Sequence, residues 1–314
     1  MKIITVLIIS LVILSINSVL GEIPKIHVPN VNIPNYQVSN NLDIDPGPSH
    51  VTPVNSWSSG QTSVSQLPDE SKRQLLGSIP EETVSALSWT IYSIPVLSNL
   101  PSSYTTPYIT SVKNQGLCGS CWAFSAAATA ETYSQKISSV PIDYSEQFLL
   151  GTDAGNCNGG YPRKALEYFT DKIDVRDMTV GAVIESDWKY IGTIQNKNLT
   201  GIKRITLNGK VGECSATFDQ IKSAVYSYGS AVLTFNVYNS FYSYKSGVYK
   251  KLPTDKYIGQ HAVQIIGWNT DANGLYWICK NSWGQSWGES GFFNIYSAQT
   301  AINGKTLIHF IRPI

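Results

Sequence analysis

Histidine, methionine and charge of either sign are all scarce in this sequence. Its 314 residues include four histidines, two methionines and 14% charged side chains, with 23 basic residues set against 22 acidic ones. So even a balance excludes the strong positive field that gathers nucleic acid or an anionic membrane surface, and neutral partners are expected. Acid–base chemistry near neutral pH narrows to His27, His50, His261 and His309. Beyond the first twenty residues no apolar run is long enough to span a bilayer. The five cysteines are an odd number, so at least one thiol has no partner within the chain.

What is present begins with Met1-Lys2, an apolar run from Ile3 to Ile16, and the small-residue exit Asn17-Ser18-Val19-Leu20-Gly21. A charged start, apolar middle and small exit make residues 1–21 a secretory signal peptide. An uncleaved anchor is the alternative, but Ser10, Ser15, Asn17 and Ser18 interrupt the run. Export admits disulfides. Residues 22–68 hold seven of the fifteen prolines and few charges, which predicts an extended stretch that packs poorly alone. Two short helices are predicted next, over 69–76 and 81–87, separated by Gly77 and Pro80. A compact body then runs from about residue 99 to 314, which leaves 22–98 as a leader.

Within the body an alanine-rich helix is predicted from Ser120 to about Ile137, with Cys121 in its first turn. Shorter helices are expected at 145–150, 163–171 and 218–228. The pattern then turns to strands at 231–237, 247–250, 262–268, 275–280 and 291–296, with Asp271-Ala272-Asn273-Gly274 as a hairpin turn. Helices first and strands second read as α+β, a helical half against a mostly antiparallel half with a cleft between.

A thiol in the first turn of a helix meets unpaired backbone N–H groups and a partial positive charge, which favour thiolate. His261 directly precedes the apolar run 262–268, at the mouth of a strand. Twenty residues on, Asn281 ends the strand 275–280, and pairing across the hairpin brings its amide to the imidazole. An amide acceptor there sets which ring nitrogen carries the proton and aims the other at sulfur. Trp283 is placed to roof that hydrogen bond, whereas Trp287 reads as core.

The segment Gln115-Gly116-Leu117-Cys118-Gly119-Ser120-Cys121-Trp122-Ala123-Phe124-Ser125 closely resembles the nucleophile segment of the papain and cathepsin family. Cys157-Asn158-Gly159-Gly160-Tyr161-Pro162, His261-Ala262 and Asn281-Ser282-Trp283-Gly284 resemble further family motifs in the same order. The resemblance covers roughly residues 100–297. It implies a two-lobed papain-like fold, with a helical lobe, an antiparallel β-barrel-like lobe and the active site in the cleft between them. It further implies an endopeptidase in which Cys121 is the nucleophile, His261 the base and then acid, Asn281 the orienter and Gln115 an oxyanion donor. A thiolate–imidazolium pair at rest belongs to the same picture.

By the same resemblance Cys118 pairs with Cys157, Gly159 and Gly160 edge an extended substrate, and Tyr161, Pro162, Thr234 and Ala262 line a pocket, with Trp283 beside the site. The implied partners are protein or peptide substrates, the chain's own leader as intramolecular inhibitor, and cystatin-type inhibitors. A monomer with no cofactor, no metal, no nucleic acid and no membrane after signal removal is expected, in the secretory pathway and then lysosomal, endosomal or extracellular. Asn198-Leu199-Thr200 is a glycosylation sequon.

The chain also departs from the family. The Asp-Trp-Arg-like stretch before Ser103 is missing, and Gly151-Thr152 stand where a cysteine commonly follows, so a second disulfide is lost. Cys214 and Cys279 then lack assigned partners, Cys279 reading as a buried free thiol. The leader lacks the long helical inhibitor pattern; its Leu75-Leu76-Gly77 resembles the shorter leaders of cathepsin-B-like enzymes. The tail from Ala298 follows no family pattern that reads out a pocket floor, and no His-His pair marks an occluding loop, so endopeptidase is the expectation. A non-catalytic binding protein on the same scaffold and an acyl transferase are the competing readings.

Overall fold

Alanine-rich sequence makes a slim helix, and a slim helix can be buried on every side. In the computed structural model, which describes residues 56–79, 94–302 and 304–314, Cys121–Ser138 is that helix. Its first fourteen residues are buried, and Ser139 closes it in the left-handed conformation. Number the elements in chain order: β1 is Trp57–Ser59, α1 Asp69–Arg73, β2 Tyr104–Thr105, and α2 the buried helix. Then come α3 Glu146–Leu149, the short pair β3 Gly155–Asn156 and β4 Gly159–Gly160, and α4 Pro162–Glu167. The hairpin β5 Ile173–Asp174 and β6 Thr179–Val180 completes the helical half.

The second half contains β7 Lys210–Ala216, α5 Phe218–Tyr228, β8 Ala231–Tyr238, β9 Tyr244–Tyr249, β10 Tyr257–Asp271, β11 Gly274–Lys280, β12 Phe292–Tyr296 and β13 Thr306–Arg312. These pair in the order β1-β9-β12-β11-β10-β8-β13-β7, with β2 added on β10. The pairing is antiparallel apart from β12 on β9. No pairing closes β7 onto β1 among the described residues, so the sheet is an open path in place of the barrel-like closure that the resemblance implies.

Two separate buried clusters define two lobes. One gathers Trp122, Ala126, Tyr144, Phe148, Leu166 and Phe169 around α2 and α4. The other gathers Phe235, Phe241, Trp277, Trp287 and Phe293 across the sheet, and Trp287 lies inside it as a core residue. Each fully buried large side chain contributes about 1.5–3 kcal/mol. The Cys118–Cys157 disulfide ties the loop before α2 to the β3–β4 turn.

Several elements differ from the sequence expectation for local reasons. The helix expected over 163–171 starts at Pro162, which suits the first helical position, and stops at Glu167. The helix expected over 69–76 is the shorter α1, and the one over 81–87 lies outside the described residues, as does the signal segment. Strands β7 and β13 were not anticipated: each pairs with a segment far away in the chain.

The described leader residues 56–79 belong to the compact unit that spans 53–314. Its β1 pairs with β9, where Trp57 packs on Tyr249 with ring centroids 5.0 Å apart and donates its indole N–H to the Lys250 carbonyl at 2.8 Å. Trp57, Val64 and Leu75 join the core of the sheet lobe. The residues just ahead of 99 dock on α5. Ile94 is buried, the Gln220 amide donates to its carbonyl, and the Leu97 N–H donates to Ser223 Oγ at 3.0 Å.

Candidate active site

The N-terminus of α2 places Cys121 at the floor of the cleft between the lobes, fully buried. The Ala262 N–H of β10 donates to its Sγ at 3.5 Å, so the thiol at the start of α2 lies against β10. His261, the preceding residue on β10, is paired with Phe235 of β8 and is also fully buried.

Asn281 follows directly after β11, which runs beside β10 across the Asp271–Gly274 turn. The imidazole Nε2 and Asn281 Oδ1 are 2.7 Å apart, so in the neutral ring Nε2–H donates and Nδ1 carries the lone pair. Nδ1 is buried without a hydrogen-bond partner. The Trp283 ring lies over the imidazole, centroids 4.7 Å apart, and stacks on Tyr242 behind. Water is kept from the His261–Asn281 bond by these rings.

Gln115 sits in the loop before α2, held by its N–H to the Ser282 carbonyl at 2.9 Å. The Ser282 hydroxyl donates to Gln115 Oε1 at 2.6 Å, which turns the amide so that Nε2 faces the cleft. Ser282 was part of a recognised motif without a role of its own. Its geometry supplies one.

The leader runs through this cleft. Gln115 Nε2 donates to the Leu75 carbonyl at 3.1 Å as well as to the Cys118 carbonyl at 2.8 Å. The Gly160 N–H donates to the Gly77 carbonyl at 2.8 Å, and the Ile79 N–H donates back to the Gly160 carbonyl at 3.0 Å, a parallel bridge. Ser78 Oγ and Thr234 Oγ1 are 2.9 Å apart. A Cβ on Gly77 would lie 1.9 Å from the Gly119 carbonyl oxygen, so only glycine passes this close to the nucleophile loop. Gly160 is equally confined, its missing Cβ facing the Trp122 ring at 2.5 Å.

Burial sets the charge of the pair in this covered form. It pushes the Cys121 thiol up to about 11, against the backbone N–H groups of Ala262, Gly77, Trp122 and Ser78 that donate toward the sulfur. It also pushes the His261 imidazole down to about 4, against the hydrogen bond that the ring donates to Asn281. Thiol and imidazole are therefore both uncharged near neutral pH. In the covered cleft the desolvation of each group by itself works against the thiolate–imidazolium pair that the resemblance implies.

The remaining sequence-derived positions fall as follows. Gly159 and Gly160 form β4, with the Ile79 side chain against Gly159. Tyr161 precedes α4 and Pro162 opens it, Thr234 contacts the leader, and Ala262 adjoins the sulfur. Asn198 is exposed, its Oδ1 accepting the Thr200 N–H at 3.0 Å. Cys214 and Cys279 are free and buried. No group of three or more His, Cys, Asp or Glu side chains suited to a metal ion occurs among the described residues. One neighbour of the site carried no sequence signal: Tyr190, whose hydroxyl lies 2.8 Å from the Gln115 carbonyl.

Known proteins share this arrangement. The family model described as papain family cysteine protease matches residues 101–309. A gut-specific cysteine proteinase of Caenorhabditis elegans is 32% identical over 239 residues, covering 64% of this chain and 70% of that one. A cathepsin L-like protein of the same nematode is 36% identical over 201 residues, covering 60% of this chain and 56% of its own length, so the match spans little more than half of that relative. In fold, the chain is similar to procathepsin B S9 from Trypanosoma congolense, with a TM-score of 0.70, 22% identity, and coverage of 82% and 94% of the two chains. The buried cysteine on a helix end, the histidine–asparagine pair of the facing strands and the match over both lobes lead to one conclusion: this chain belongs to the papain family of cysteine proteases.

Proposed function

We propose that the chain is the secretory precursor of a cysteine-type endopeptidase, held inactive by its own leader. The observation that carries this reading is the convergence of Cys121, the His261–Asn281 pair and the Gln115 amide on one cleft that the leader occupies. The groups the leader presents to the sulfur are the N–H groups of Gly77 and Ser78. A nucleophile needs a carbonyl carbon there. The leader therefore stands where a substrate carbonyl has to sit.

Once the leader leaves, water and substrate enter, desolvation eases, and the Cys121 proton passes to His261 Nδ1. Sulfur then attacks the scissile carbonyl, and the tetrahedral oxygen takes the Gln115 Nε2–H that Leu75 vacates. The imidazolium donates its proton to the departing amine, and the resulting thioester is hydrolysed by water deprotonated at the same nitrogen. Asn281 keeps the ring in register throughout. An extended substrate pairs with the N–H and carbonyl of Gly160, now taken by Gly77 and Ile79, and sets a side chain among Tyr161, Pro162, Thr234 and Ala262 beside Gly159.

The leader ends between Ile79, still in the cleft, and Ile94, already docked on α5. The signal segment and the Asn198 sequon support the secretory route, with occupancy of Asn198 as a consequence. Treatment with an epoxysuccinyl peptide tests the whole reading. Acid-processed protein is expected to gain one adduct at Cys121 and to cleave peptide amides, while the intact precursor does neither. A processed protein that takes no label and cuts nothing would favour a binding protein on the same scaffold, and transfer to added amines without hydrolysis would mark a transferase.

A further inference from the structure

We infer that Tyr190 is a positioning residue that sets the two oxyanion donors, the Gln115 amide and the Cys121 backbone N–H, at a fixed spacing; this rests on the peptidase reading above. Its hydroxyl donates to the Gln115 carbonyl at 2.8 Å and lies 2.7 Å from Ser120 Oγ. With its proton given to the carbonyl, the tyrosine oxygen accepts from the serine. The result is a chain of hydrogen bonds, Ser120 to Tyr190 to Gln115, whose ends are the residue before the nucleophile and the side-chain donor.

Ser120 occupies the N-cap of α2, where a serine hydroxyl ordinarily accepts a helix N–H. Here it makes no such cap bond. Its hydroxyl lies 2.7 Å from that of Tyr190, with the Cys118 carbonyl farther off at 3.4 Å, and the Ala123 N–H goes to the Ser120 carbonyl, which leaves the Cys121 and Trp122 N–H groups to the substrate and the sulfur. The intervening Gly116 and Leu117 are exposed, and a Cβ on Gly116, whose φ is 59°, would meet open space, so the loop is held at its two ends, by buried Gln115 and by disulfide-bonded Cys118, with nothing packed on its tip. The other clamps on Gln115 come from Ser282 and from within the loop, at the Cys118 carbonyl. Tyr190 supplies the anchor from the helical lobe.

Tyr190 is itself well fixed. Its ring meets the Phe124 ring of α2 edge-on at 4.7 Å, and its N–H donates to Glu185 Oε1 at 2.9 Å. The next residue is gripped by Gln147, whose Oε1 accepts the Ile191 N–H at 2.9 Å while its Nε2 donates to the Thr193 carbonyl at 2.6 Å. Burial pushes the phenol up to about 12, so it stays a hydrogen-bond donor over the working pH range.

The test is Tyr190→Phe in the full-length precursor after acid processing. Because the donors still exist but sit loosely, kcat on a peptide amide is expected to fall about tenfold, well short of losing a donor outright, with KM nearly unchanged. Alkylation of Cys121 by iodoacetamide, which builds no oxyanion at a carbonyl, is expected at the unaltered rate. In a Gln115→Ala background the same change is expected to add almost nothing. Unchanged kcat, a parallel fall in alkylation, or a full tenfold loss on top of Gln115→Ala would each overturn the assignment. If the unaltered processed protein turns over no peptide, the peptidase reading falls first and takes this one with it.

Discussion

Two buried groups of ionisable side chains lie close together in this protein and have opposite electrostatic designs. At the catalytic pair, Cys121 and His261 are surrounded by amides, rings and backbone, and burial drives both toward their uncharged forms. Lys113, in the loop before α2, instead touches Glu131 at 3.0 Å, Asp143 at 2.6 Å and Glu146 at 2.8 Å. Burial works against its charge too, but the Glu146 and Glu131 carboxylates outweigh it and hold the ammonium above its ordinary range. Glu146 is pushed by burial up to about 8 with Lys113 opposing, so the lysine is the firmer charge of the two. The comparison teaches that contact with opposite charges holds the Lys113 ammonium against burial, whereas dipoles alone do not offset burial at Cys121 and His261. The cluster is permanent structure. The catalytic pair is left adjustable, and the leader adjusts it.

The difference can be broken from either side. Lys113→Met strands the almost fully buried Glu131 carboxylate and removes the charge that opposes the burial of Glu146, and is expected to cost about 3–5 kcal/mol in urea unfolding. A loss below about 1 kcal/mol would mean that the cluster holds no firm charge. In the processed enzyme, Gln115→Ala is expected to lower kcat about 100- to 1,000-fold with stability little altered, since it removes a neutral donor and strands no charge. Parallel unfolding and turnover measurements separate the two outcomes.

Gly77→Ala tests whether the leader is what keeps the catalytic pair neutral. The added methyl meets backbone at Gly119, and overpacking of this kind costs about 1–3 kcal/mol. The precursor's Cys121 is then expected to alkylate about tenfold faster at pH 7, as the cleft opens in proportion. An unchanged rate would show that the leader does not gate the sulfur.

The smallest effect sharpens the comparison in acid. His309 on β13 is buried, faces Arg163 and lies opposite Glu213 on β7, and its pKa is lowered to about 3, by burial first and the Arg163 charge second. A depressed histidine contributes its full share above about pH 6.5, where both states are neutral. That share is lost as pH falls toward 3, because only the unfolded chain takes up the proton. His261 acts in the same direction down to about 4. The precursor's stability is therefore expected to decline from pH 6.5 downward. His309→Gln is expected to flatten that slope by up to about 1.4 kcal/mol per pH unit. An unchanged slope would show that His309 does not titrate with unfolding.

Much of the site was readable because its parts are local. Alanine-rich sequence after Ser120 means helix, and Cys121 then has to sit in the first turn. The Asp271–Gly274 turn folds β11 back on β10, which carries Asn281 to His261. Where pairing is remote, the sequence was silent. β7 and β13 meet only through tertiary structure, and Trp57, in a proline-rich stretch that reads as unpacked, finds its place on β9 far along the chain. Tyr190 is one of 18 tyrosines, and nothing in its surroundings along the chain sets it apart.

By itself, then, the sequence determined the family and the candidate residues: which thiol, which imidazole, which amides, and the local elements that present them. Tertiary structure alone decided their state. Whether sulfur and imidazole carry charge depends on how much water reaches them, and that is settled by a leader strand, a glycine thin enough to pass and rings packed from both lobes. Local pattern specifies a residue's direction along the chain, but desolvation is a property of everything that surrounds it in space.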